Sequence, residues 1–160
     1  MKINIYPKNK KHFIKLKSFC KEIIETLNKT KINPVAWGGL VYFAYTKDKS
    51  FVIHDIDLLI PDKSLKKAMK LLKENKAKYK YISDWHYIAI SKGNLRIDLD
   101  PLEWYCKKSK KFNKLDFNGL EINAVNLKDL INIYERASKR SKDKPGQHKK
   151  RLEELRRIKA

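Results

Sequence analysis

A chain of 160 residues, 42% hydrophobic and 11% aromatic, is long enough to bury one domain core, which excludes an intrinsically disordered segment despite 35% charged residues. Its two cysteines, Cys20 and Cys106, exclude a disulfide framework and match no zinc-binding spacing, so a reducing compartment is expected. With 38 Lys and Arg against 18 Asp and Glu, the formal charge of +20 is too one-sided for a balanced ion-pair network and points to a polyanionic partner.

In chain order, Ile3 and Ile5 mark a short strand-like start, and Phe13, Leu16, Cys20, Ile23, Ile24 and Leu27 recur at helical spacing over about residues 10–29. Asn33-Pro34 ends that region, Val35 to Trp37 reads as a short buried strand, and Gly38-Gly39 opens a helical run from Leu40 to Tyr45. Phe51 to Ile60 reads as an apolar strand interrupted by Asp55 and Asp57 and stopped by Pro61. Ser64 is placed to cap a helix with Leu65, Ala68, Met69 and Leu72 on one side. Tyr79–Ile82, Trp85–Ile90 and Leu95–Leu99 predict three antiparallel strands, the first two joined around Ser83-Asp84. Asn118-Gly119 is a hairpin signal, Asn126 with Asp129 suits a helix start, and a last helix is expected over about 147–158 after a charged, linker-like stretch at 138–146. No apolar segment follows Met1 and none reaches the roughly 18 residues of a membrane span, so a cytoplasmic protein without membrane contact is expected.

Side chains two apart on a strand share a face, so Asp55 and Asp57 aim together while His54, Ile56 and Leu58 aim the other way. Two carboxylates in one small space repel, and a divalent cation between them removes that cost. Arg96, Asp98 and Asp100 share a face of a later strand, which makes Asp98 the candidate third carboxylate and Asp100 its alternate. Were the two strands adjacent, three carboxylates could serve two metals about 3.5–4 Å apart, the arrangement for in-line nucleotidyl displacement. An isolated D-x-D is ordinarily a pair of surface aspartates. This one is embedded in an apolar strand, follows a double glycine by 16 residues, and precedes a second D-x-D on another strand.

Trp37-Gly38-Gly39, then His54-Asp55-Ile56-Asp57-Leu58-Leu59-Ile60-Pro61, then Ile97-Asp98-Leu99-Asp100-Pro101 resemble, in that order, the nucleotidyltransferase superfamily that includes DNA polymerase β. The match covers roughly residues 34–104. The motifs are most similar to the small aminoglycoside and lincosamide nucleotidyltransferases and to nucleotidyltransferase toxins of abortive-infection systems. The resemblance implies a magnesium-dependent transferase of the EC 2.7.7 type, moving a nucleoside monophosphate from a nucleoside triphosphate such as ATP to a hydroxyl acceptor, either RNA such as tRNA or a small molecule. It implies Asp55, Asp57 and Asp98 as catalytic and metal residues for Mg²⁺ or Mn²⁺, Asp98 joining a metal or acting as general base. The Gly38 and Gly39 amides would cradle phosphate. This sequence has Gly-Gly where the family offers Gly-Ser, so a phosphate-binding hydroxyl is missing.

Lys149, like Lys144, is placed to reach a phosphate from the last helix, while His54 is expected to be a packing or hydrogen-bonded histidine rather than a ligand and His148 to lie on the face that packs on the core. Trp37, Trp85 and Trp104 lie in apolar runs and read as core. Residues 136–160 carry eleven Lys or Arg against three acidic residues, and residues 1–32 nine against two, which suits an RNA acceptor through salt-sensitive contacts. The expected fold is α/β of the polymerase β-like kind: a short mixed sheet flanked by helices, with residues 1–125 as catalytic core and 126–160 as a helical segment packed on the same domain. Two rival readings are a catalytically silent nucleic-acid-binding protein of this fold and a toxin or antitoxin component.

Overall fold

The strands pair into one eight-stranded mixed sheet in the computed structural model, which describes residues 1–106, 111–139 and 146–159. The strands are β1 (Lys2–Ile3), β2 (Val35–Trp37), β3 (Ile56–Ile60), β4 (Lys78–Ile82), β5 (Tyr87–Lys92), β6 (Leu95–Pro101), β7 (Asn113–Phe117) and β8 (Leu120–Ala124), in the order β1-β7-β8-β2-β3-β6-β5-β4. The sheet is larger than the short one expected, because the hairpin β7–β8 and the N-terminal β1 extend it beyond β2. Most of the linker-like stretch, Lys144 included, lies outside the described residues.

Among the described residues six α-helices flank the sheet: α1 (Lys10–Asn28), α2 (Gly38–Thr46), α3 (Leu65–Glu74), the short α4 (Leu102–Tyr105), α5 (Leu127–Ser138) and α6 (Gln147–Lys159). The helical periodicity of the sequence is read faithfully by α1, which buries Phe13, Leu16, Phe19, Cys20, Ile23 and Leu27. α1 and α3 pack together and against the wing formed by β4, β5 and β6; α2, α5 and α6 pack on one another, with α2 against β2 and β3. Burial of Ile88, Ile90, Ile97 and Leu99 beneath α1 and α3 fixes which face of that wing is core. Among the described residues no helix is long and apolar enough to cross a membrane.

Local chemistry explains where elements start and stop. Asn118 and Gly119 both take positive φ (48° and 95°), as a tight hairpin turn between β7 and β8 demands, and Gly119 N donates to Asp116 Oδ1 at 2.8 Å. Asn126 caps α5 by accepting from Asp129 N at 2.9 Å and donating to the Asp129 carboxylate at 2.8 Å. Ser64 makes no such cap; a short 3₁₀ turn at Asp62–Ser64 leads into α3 instead. The strand expected from Phe51 begins only at Ile56, because residues 51–55 leave the ladder and fold against α2, with Phe51 on the rings of Tyr42 and Phe43. Trp85 falls in the turn between β4 and β5, not in a strand, and both Trp85 (43% exposed) and Trp104 (48%) are surface residues, contrary to the core reading. His54 is exposed as well rather than packed.

Candidate active site

β3 and β6 are neighbours and parallel, with Asp57 directly opposite Asp98 and Leu59 opposite Asp100. Directly opposed residues in a sheet project to the same face, so this register joins the two D-x-D motifs on one surface. Asp55 stands one residue before β3, at the mouth of the strand rather than within it, and still acts electrostatically on Asp57, Asp98 and Asp100. The sheet therefore gathers four aspartates.

Each has a distinct setting. Asp57 is held at the end of β2, opposite Trp37, and beside the first residue of α2. Burial, then the charges of Asp55, Asp100 and Asp98, raise its pKa well above the usual carboxylate range, against a downward pull from Arg151. Asp98 is gripped by a two-pronged ion pair: Arg96 donates from Nε to Oδ1 at 2.8 Å and from Nη2 to Oδ2 at 3.1 Å, and also to the Tyr87 hydroxyl at 3.2 Å. Burial nevertheless outweighs that pairing and raises its pKa. Asp100 is buried and accepts from the Trp37 indole N–H at 3.1 Å, with burial as the largest cause pushing its pKa up to about 7.

Gly38 explains the double glycine. It takes φ +67°, a region costly for other residues, and a Cβ there would stand 2.3 Å from Asp57 Oδ2. The backbone must come this close for the N-terminus of α2 to face the carboxylates. Among the described residues no side chain caps that N-terminus, which leaves its leading amide groups open to an anion. Gly39 is different: an added Cβ would meet only the Phe51 ring, at an ordinary 3.5 Å.

The aspartates suit a hard divalent cation. They offer oxygen donors whose crowding is costly without positive charge, while among the described residues no three acidic, His or Cys side chains form a closed cage. Asp55 and Asp57 could hold such an ion together with substrate phosphates, as Mg²⁺ is commonly held by one or two carboxylates; both oxygens of Asp98 are engaged by Arg96.

One residue escaped the sequence reading. Lys149 is exposed on α6, while Arg151 lies inward, its guanidinium carbon 5.1–5.9 Å from the ring centroids of Phe51, Tyr42 and Tyr134. Arg151 donates to the Tyr134 hydroxyl at 3.3 Å and is the cation that acts on Asp57. α6 is pinned over α2 by a hydrogen bond from the Tyr42 hydroxyl to the Glu154 carboxylate. The signal was present: His148, Arg151, Leu152 and Leu155 follow helical i, i+3, i+4, i+7 spacing, so Arg151 is the charge on the apolar stripe.

By sequence, the chain matches no family model and no curated protein. By structure, it is similar to the antibiotic-resistance factor ANT(2'')-Ia in solution (TM-score 0.65, 12% identity, covering 92% of this chain and 85% of that one). It is also similar to the lincosamide antibiotic adenylyltransferase LnuA with lincomycin bound (TM-score 0.59, 12% identity, 87% and 95% covered). A third likeness is to an antigenic nucleotidyltransferase-like protein from Paracoccidioides brasiliensis (TM-score 0.60, 14% identity, 88% and 74% covered).

Proposed function

We propose that this chain, whose fold is that of the nucleotidyltransferases, moves a nucleoside monophosphate from a nucleoside triphosphate such as ATP to a hydroxyl acceptor, RNA or a small molecule, in the cytoplasm. The observation that carries the reading is the register that sets Asp57 opposite Asp98 beside a glycine whose side-chain space the Asp57 carboxylate occupies. Asp55 and Asp57 would hold Mg²⁺ or Mn²⁺ together with the triphosphate, and the ion would supply positive charge toward the phosphate oxygens.

The protein residues do the rest. The open amides at Gly38 and Gly39 and the Arg151 guanidinium bind the triphosphate from the α2 and α6 side. Asp98, oriented by Arg96, accepts the proton of the acceptor hydroxyl as its oxygen bonds to the α-phosphorus; the bond from that phosphorus to the bridging oxygen breaks, and pyrophosphate leaves. Asp100, kept against Trp37, supports the orientation of β6 beside β3.

Label from an α-labelled triphosphate should appear on the acceptor, and label from the γ-position should appear in pyrophosphate alone. Asp98→Asn should lower turnover about 10²–10⁴-fold, the range of a lost general base, with triphosphate binding kept. Transfer unchanged in Asp98→Asn and Asp57→Asn would defeat the proposal. Incorporation of any label would exclude the silent nucleic-acid-binding reading.

A further inference from the structure

The sheet continues past the aspartates. Register places Asp98 opposite Ala89 and Ala89 opposite Lys80, and, one step along, Arg96 opposite Ser91 and Ser91 opposite Lys78. These residues share the face of Asp57 and Asp98, because directly opposed residues project together. Since α1 and α3 cover the other face of this wing, Ala89 and Ser91 are only partly buried and Lys78 and Lys80 are exposed. Among the described residues neither lysine forms an ion pair, and no carboxylate lies on this face of β4 or β5.

We propose that this face is the acceptor platform and that it seats the end of a single-stranded RNA, with its phosphates on Lys78 and Lys80 and its terminal ribose hydroxyl at Asp98. This rests on the nucleotidyl-transfer reading above and names the acceptor class. Two strand spacings separate Lys80 from Asp98, roughly 10 Å, a distance on the scale of a nucleotide. Ala89 between them leaves the floor low. The hairpin end of the platform carries the exposed Trp85, and Trp104 stacks on His86 nearby with ring centroids 5.6 Å apart, which supplies aromatic surface for bases. Charge selects the same class: a polycationic acceptor would meet two unpaired lysines on a chain of net charge +20. Lysines on an edge strand also discourage sheet-to-sheet pairing, but that role has no bearing on RNA affinity.

The test separates binding from chemistry. A short fluorescent single-stranded RNA with a free 3′ hydroxyl is titrated into Asp57→Asn, with and without Lys78→Glu plus Lys80→Glu, over a series of salt concentrations; circular dichroism checks the fold, and Lys78→Ala plus Lys80→Ala serves as a milder pair. Loss of the two lysines should weaken binding at least tenfold and flatten the slope of log affinity against log salt by about 1.4, two phosphate contacts at about 0.7 each. Equal affinity and slope in both lysine variants would overturn the platform. In the otherwise wild-type protein, the lysine pair should leave the binding of a fluorescent triphosphate unchanged and reduce label transfer to RNA. RNA binding that depends on the lysines without any transfer by the wild type would defeat the proposed chemistry and keep the platform. Transfer to a cationic aminoglycoside in preference to RNA would overturn the platform and keep the chemistry.

Discussion

The two glycines of the Gly38-Gly39 pair do separate jobs, and substitution tells them apart. Gly38→Ala forces a Cβ into the space of Asp57 Oδ2 at a backbone angle that disfavours it, so the Asp57 carboxylate must swing away. Turnover should fall at least about a hundredfold, and stability by about 1–3 kcal/mol in thermal unfolding. Gly39→Ser meets only the edge of Phe51, so the fold should be kept. It would also introduce a hydroxyl at the start of α2, where an anion is expected. A charge-assisted hydrogen bond of that kind should lower the KM for triphosphate by about tenfold, read from steady-state kinetics. The reverse ranking, with Gly39→Ser the damaging change, would show that α2 does not approach the nucleotide in this way.

At the scale of elements, α6 brings Arg151 across α2 toward a carboxylate on β3, a contact between parts of the chain far apart in sequence. Arg151→Met keeps a long apolar side chain against Phe51, Tyr42 and Tyr134 but removes the cation. Triphosphate affinity should drop about tenfold or more by calorimetry, while the far-ultraviolet spectrum stays that of the wild type. What was legible in the sequence follows the same division. Local chemistry could be read directly: the Asn118-Gly119 turn, the Asn126 cap and the apolar stripe of α1 each depend on residues within a turn or two. The adjacency of β3 and β6 was stated only as a condition, because no local signal encodes pairing across about forty residues; the structure supplies it. The inward turn of Arg151 and the bond from Trp37 to Asp100 were missed because each depends on where distant elements pack. Phe51 to Asp55 misled through β-branched and aromatic propensity, which tertiary contact with α2 overrode.

For the molecule as a whole, four crowded aspartates are a stability cost that a bound divalent cation would offset. Asp57 and Asp100 have folded-state pKa values above the ordinary value near 3.8, Asp100 about 7. A carboxyl raised in this way adds stability below its unfolded pKa and loses it as pH rises through the folded one. The metal-free protein should therefore lose stability on account of Asp100 between about pH 4 and pH 7, and on account of Asp57 as pH rises through that group's own raised range. Asp57→Asn should flatten that decline and raise the metal-free stability at neutral pH by about 1–3 kcal/mol, since it removes a buried charge held among like charges. Loss of function and gain of stability then come from the same substitution.

The measurement that tests this account most directly needs no knowledge of the acceptor: thermal unfolding of the wild type and of Asp57→Asn at neutral pH, each with and without Mg²⁺ plus a non-hydrolysable nucleoside triphosphate analogue. At about a hundred times the dissociation constant, ligand binding contributes about 2.7 kcal/mol. For a chain of this length that corresponds to a rise of roughly 5–10 °C in the wild-type midpoint. The account predicts that rise in the wild type, none in Asp57→Asn, and a higher midpoint for Asp57→Asn than for the wild type without ligand. An unmoved wild type, or an equal shift in both proteins, would contradict it.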